Sequence, residues 1–274
     1  MGAPQLSYLP NCSLLFQELP PLERPAAAKA AGFDAIEFWW PFPEAVPADG
    51  EVDAFVTAIE DAGVALVGLN FFAGDLAGPD AGVLSIPKRS TEFRDNVAVA
   101  AAIGARLGVR GLNALYGNRV TDATPAEQDD LAVENLVFAA DAVAEFGATV
   151  LVEPVSGPKP YPLRTASDVR TVLERVHAAG ADNVGFLCDL FHLASNGDDL
   201  DEAITAHFAD IAHVQIADNP GRGEPGSGEL DLFSRLENLR ARGYDGWVSL
   251  EYKPTGGNTV ESLGWLPREQ RGAH

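Results

Sequence analysis

The chain has 274 residues with 19 Lys or Arg against 40 Asp or Glu, a formal charge of −21 and a pI near 4.4. Nucleic acid is held by cationic side chains that release counterions, and an anionic membrane face repels a surplus of this sign, so both partners are excluded. Of the cations 15 are Arg and only 4 are Lys, which leaves no polybasic patch.

In chain order, the first predicted element is a short strand, Leu6–Leu9, followed by a helix over 19–31 that closes at Gly32. A strand Phe33–Phe38, a helix over 51–62 closing at Gly63, and a strand Val64–Asn70 come next. A long irregular stretch, 73–89, leads to a helix over 90–107, Gly108 and the strand Val109–Asn113. Asp122-Ala-Thr-Pro125 and Thr165-Ala-Ser-Asp168 carry a capping hydroxyl or a proline in the first turn. They announce helices over 125–146 and 166–179, separated by Gly147 and the strand Ala148–Glu153. After Gly180 a strand runs to Asp189, then a helix over 199–208, the strand Ile211–Ile216, and a second long loop, 217–230. A helix over 231–241, Gly243, a strand to Glu251 and a helix over 257–266 complete the series, with a tail from about 267 expected to fray.

Each helix that ends at a glycine just before an apolar run reads as a left-handed C-cap feeding a strand. Eight strands alternating with eight helices in one uninterrupted α/β domain, 1–274, imply parallel pairing with helical crossovers. The size is that of a (β/α)8 barrel, TIM-like, rather than a doubly wound open sheet. Barrel chemistry belongs at the C-terminal ends of the strands. Those ends are Glu37, Asn70, Asn113, Glu153, Asp189, Gln215 and Glu251.

Glu153, Asp189, Gln215 and Glu251 close four successive strands. Three carboxylates drawn together in a half-buried mouth lose hydration and repel one another, so they protonate or take a cation. Such oxygen donors suit Mg2+ or Mn2+; a solvated acidic rim is the alternative. His213 lies two residues before Gln215 on the same side of its strand, and His192 follows Asp189 by three. Either can hold a substrate oxygen, shuttle a proton or orient a ligand. Arg222, in the loop beyond Gln215, suits bidentate capture of an anion, and Lys253 lies two residues past Glu251. Gly221-Arg-Gly-Glu-Pro-Gly226 matches a dinucleotide fingerprint in spacing alone; it sits in the seventh unit, contains Pro225, and is read as a decoy. Cys12 and Cys188 form neither a disulfide framework nor a cysteine zinc site. The opening Met-Gly-Ala-Pro-Gln has no leader character and no apolar run reaches a membrane span, so a cytoplasmic protein is expected.

Val152-Glu-Pro154, Cys188-Asp-Leu-Phe-His192, the block from His213 to Gly226 and Leu250-Glu-Tyr-Lys-Pro254 resemble the hydroxypyruvate isomerase family, a branch of the xylose-isomerase-like barrels. Asn11-Cys-Ser-Leu-Leu-Phe16, Ile36-Glu-Phe38, Ala73-Gly-Asp75 and Glu92-Phe-Arg-Asp95 look similar as well. The resemblance implies an aldose–ketose isomerisation of a small anionic hydroxy-oxo acid, hydroxypyruvate to tartronate semialdehyde. It implies Glu153, Asp189, Gln215 and Glu251 as ligands of a divalent cation and Glu153 with Glu251 as acid and base. The expected substrate contacts are His192, Arg222, His213, Lys253 and Asn70, with fit set by Trp39-Trp40 and the loop 76–83. Moving a carbonyl by one carbon passes through an enediolate, whose charge a divalent cation stabilises. The rival enzymes are an isomerase or epimerase of a 2-oxo-tetronate or small ketose and, against the charge, an abasic-site endonuclease. A non-catalytic barrel would lack one of the carboxylates. Self-association into a homo-oligomer is compatible with the sequence.

Overall fold

The computed structural model describes residues 5–76, 78–157 and 160–272. The first four residues and the last two of the tail, to which the leader and fraying expectations partly refer, lie outside that set. The strands are β1 Ser7–Pro10, β2 Ala35–Phe38, β3 Ala65–Asn70, β4 Gly111–Asn113, β5 Thr149–Val152, β6 Val184–Asp189, β7 Ile211–Ile216 and β8 Trp247–Leu250. All neighbours pair in parallel in the order β1-β8-β7-β6-β5-β4-β3-β2. The gap between β1 and β2 is closed at the rim by a single parallel bridge, Asn11 opposite Glu37, where the Cys12 N–H donates to the Glu37 carbonyl at 2.8 Å. The (β/α)8 barrel read from the alternation is thus the observed fold.

The helices are α1 Arg24–Ala30, α2 Asp49–Ala62, α3 Ser90–Leu107, α4 Pro125–Ala144, α5 Ala166–Ala178, α6 Leu190–Asn196, α7 Leu200–His207, α8 Leu232–Ala241 and α9 Thr259–Ser262. Their ends follow local chemistry. Gly63 and Gly108 close α2 and α3 at φ 65° and 71°, a region that costs most other residues energy. Thr124 and Thr165 open α4 and α5 with reciprocal capping boxes to Glu127 and Asp168, as their spacing predicts. The buried faces of the helices and the outward faces of the strands form one continuous apolar core.

Three differences matter. The last predicted helix is a single turn, α9, continued by a short 3-10 turn. The seven-residue α6, unforeseen in the sequence, starts directly at the end of β6, because Asp189 doubles as strand end and N-cap. Its Oδ1 accepts from the N–H groups of Phe191 at 2.8 Å and His192 at 3.2 Å. Where fraying was expected, Arg268 donates to the Ala30 carbonyl and Arg271 to those of Ala31, Leu263 and Leu266.

Candidate active site

A cavity of about 200 Å3 opens at the C-terminal rim, lined by Trp39, Asn70, Leu76, Ala81, Leu115, Glu153, Val155, Ser156, His192, Arg222 and Glu251. Every strand-end residue singled out above is buried here, at 1–5 % exposure. Asp189 spends Oδ1 on the first turn of α6, which leaves Oδ2 facing inward. One donor atom each from Asp189, His192 and Glu251 lies within 4.8 Å of the others. Glu153, from the β5 end, receives the Asn113 Nδ2 at 2.6 Å.

The electrostatics follow from that crowding. Burial, then repulsion from Glu251 and Asp189, raises Glu153 well above the usual carboxylate range. Glu251 is pushed up to about 7 by burial, although Arg222 pulls the other way. Asp189 is likewise raised by burial and moderated by Arg222 and by two backbone N–H groups. Burial pulls the Arg222 guanidinium down, but Glu251, Asp189 and Glu153 together outweigh it and raise it above its ordinary value. Its guanidinium pairs with Glu251, lies 4.0 Å from Asp189 Oδ2, and stacks 5.2 Å over the Phe191 ring.

Arg222 reaches the site because its loop is knotted around a buried carboxylate. Asp218 accepts from the backbone N–H groups of Asn219, Gly226 and Leu230 at 2.8–2.9 Å, while its own carbonyl accepts from Arg222 N–H at 2.9 Å. Arg222 itself sits at φ 58°, a left-handed backbone that this web of bonds enforces.

His192 is fixed in one tautomer. Its Nδ1 accepts from the Ser156 backbone N–H at 3.0 Å, with Ser156 Oγ at 2.7 Å, so the ring hydrogen resides on Nε2. Burial and Arg222 push its pKa down to about 3, so the neutral ring offers an N–H rather than a lone pair. It therefore suits a substrate oxygen better than a metal. Asn70 lines the same cavity, and its amide makes no hydrogen bond among the described residues.

Two expected substrate contacts are not brought to the cavity. His213, one pleat below Gln215, puts Nε2 2.6 Å from Glu37 Oε2. The Lys253 side chain is exposed and absent from the cavity wall; beyond Leu250 the strand has ended, and only the Lys253 backbone N–H meets Arg222, at 2.8 Å. Conversely, Asn11, Trp39 and Ser156 belong to the site and were not among the expected contacts, though Trp39 was marked for substrate fit. Asn11 and Trp39 donate to Glu251 Oε1 at 3.2 and 2.6 Å. Asn11 ends β1 as the other polar residues end their strands, and the same rule finds it once Pro10 is admitted to the strand.

A model of the xylose isomerase-like TIM barrel matches residues 25–269. The chain belongs to that family. It is 53% identical to "Putative hydroxypyruvate isomerase" of Streptomyces coelicolor, covering 100% of both chains. It is 34% identical to the 2-oxo-tetronate isomerase of Cupriavidus necator over 94% of this chain and 96% of that one. Among solved structures, a crystal structure described as AP endonuclease, family 2, from Brucella melitensis superposes with a TM-score of 0.85 at 32% identity, covering 96% and 98% of the two chains. Within this family the chain is an enzyme, an isomerase of the aldose–ketose type.

The donors fit the divalent cation that such a family implies. Gln215 spends both amide hydrogens on carboxylates, Glu37 at 2.6 Å and Glu251 at 3.3 Å, which leaves Oε1 buried without a partner. That unpartnered amide oxygen, on the strand between those that carry Asp189 and Glu251, suits a hard ion.

Proposed function

We propose that this xylose isomerase-like TIM barrel enzyme interconverts hydroxypyruvate and tartronate semialdehyde, with Asp189, Gln215, Glu153 and Glu251 holding one Mg2+ or Mn2+. The observation that carries the reading is that Glu153 and Glu251 line one small cavity together with the guanidinium of Arg222. When bound, the divalent ion would supply electrostatic stabilisation of enediolate charge. The rest of the chemistry falls to side chains. One of the two glutamates removes the proton from the hydroxymethyl carbon, the hydroxyl proton passes to the former carbonyl oxygen, and one glutamate delivers a proton to the former carbonyl carbon. The pair exchanges roles when the reaction reverses. The Nε2–H of His192 and the free Asn70 amide suit the two substrate oxygens, and Arg222 suits the substrate carboxylate.

The relative named for 2-oxo-tetronate supports a second reading, a substrate one carbon longer in the same cavity. An abasic-site nuclease is disfavoured by the charge of −21, which opposes a polyanion at every approach. The deciding experiment measures isomerisation of hydroxypyruvate and of 2-oxo-tetronates before and after chelation, with metal analysis of the purified protein. Loss of hydroxypyruvate turnover on chelation and recovery with Mg2+ or Mn2+ is expected. Full activity in metal-free protein overturns the cation's part, and turnover of the longer acid alone overturns the substrate.

A further inference from the structure

Below the carboxylate cluster lies a buried acid with no part in the chemistry above. Glu37, at the end of β2, is 3 % exposed and accepts four hydrogen bonds from three other strands or their ends. Asn11 Nδ2 reaches Oε1 at 2.7 Å, Gln215 Nε2 at 2.6 Å and Ser249 Oγ at 3.1 Å, while His213 Nε2 takes Oε2 at 2.6 Å. The backbone opposite makes room for this carboxylate. A Cβ on Gly68 would come within 2.5 Å of Glu37 Oε2.

We propose that Glu37 is a positioning residue that locks the Gln215 amide, nitrogen toward Glu37 and oxygen left as the free ligand for the cation. The inference rests on the reading of a cation at this rim. An ionised carboxylate only accepts, so an amide turned the other way would set two acceptors against each other at 2.6 Å. Both hydrogens of Gln215 Nε2 are then committed, to Glu37 and to Glu251, and Oε1 is the end with no partner. His213 on the second oxygen stops the carboxylate from rotating away. Glutamine differs from a carboxylate in being able to present either end, so its use as a ligand requires a partner that chooses the end. Groups that orient a metal ligand from behind commonly change affinity about 10–100-fold when removed.

A double-mutant cycle read as Mn2+ affinity separates this role from general support of the fold. Full-length protein stripped of metal is titrated with Mn2+ by calorimetry, as wild type, Glu37→Gln, Gln215→Ala and the double variant, with folding checked by circular dichroism. If Glu37 acts through the amide, Glu37→Gln weakens Mn2+ binding by about 10-fold or more in the wild-type background. It then changes little in the Gln215→Ala background, where no amide remains to orient. Equal weakening in both backgrounds, or none in either, overturns the proposal. Should Glu37→Gln not fold, Glu37→Asp takes its place. That change keeps the charge but draws the carboxylate back from the amide, and the same two results decide. A wild-type protein that binds no Mn2+ at all refutes the cation reading and this inference with it, whereas binding with an additive cycle refutes the inference alone.

Discussion

Glu251 gathers four side chains of the site. Its Oε1 accepts from Trp39, Asn11 and Gln215, and its Oε2 from Arg222. Glu251→Gln keeps the shape but removes both the proton-transfer group and the negative charge that Arg222 faces. It should lower kcat by about 100- to 10,000-fold with unchanged circular dichroism, and near-normal isomerisation would remove Glu251 from the acid/base pair. At this scale the sequence was most legible where an apolar run stops at a carboxylate, as at Glu153, Asp189 and Glu251. It was least legible where the partner is remote. The bond between Glu37 and Gln215 joins residues 178 apart, and it depends on the registers of β2 and β7, which no local pattern encodes. His213 was expected as a substrate contact because it shares a strand face with Gln215; standing two residues earlier on β7, it lies one pleat deeper, where its partner is the remote Glu37.

Helix and strand limits were readable because caps are local chemistry. Thr124, Thr165, Gly63 and Gly108 each stand within a residue or two of the boundary they set. Helix α6 was not, since its N-cap is a residue already counted as a strand end. The loop after β7 shows how an irregular element becomes rigid. Its buried Asp218 replaces a ladder with three backbone N–H bonds, and a Cβ on Gly228 would fall 2.5 Å from Asp218 Oδ1. Asp218→Ala takes the acceptor from three part-buried backbone donors, a loss of about 0.5–1.5 kcal/mol each, and frees Arg222 from its left-handed backbone. Urea unfolding should show lower stability and steady-state kinetics a raised KM for the anionic substrate. An unchanged KM would mean that Arg222 holds its place without the knot.

For the whole molecule, buried and net charge set two expectations. Glu251 sits near 7 in the fold against an ordinary 4.5, so between those values the metal-free fold retains a proton that the unfolded chain gives up. Its share of stability therefore falls as pH rises through that window. A cation needs the ionised form, so the rise in Tm produced by Mn2+ should be small near pH 5 and full by about pH 8. Its ceiling is set by mass action, about 2.7 kcal/mol at a hundredfold excess over Kd. An increment independent of pH would place the ion away from these carboxylates. The second expectation concerns encounter. An anionic substrate approaching a body of charge −21 is repelled over a Debye length, about 30 Å at 0.01 M salt and about 8 Å at 0.15 M. Added salt should raise kcat/KM severalfold, the reverse of an attractive steering effect, and a fall with salt would show that Arg222 and the bound ion dominate the field at long range.

The wall of the barrel is a continuous backbone ladder except at its seam. There β1 and β2 meet through Asn11 and Glu37 at the rim, with the Cys12 N–H donating to the Glu37 carbonyl. The side chains of that bridge reach Glu251 and Gln215. Closing the cylinder and assembling the site are in this sense one event, so occupancy at the rim should be felt as a clasp on the seam. Hydrogen exchange at the Cys12 amide is then a gauge of how firmly the barrel is shut.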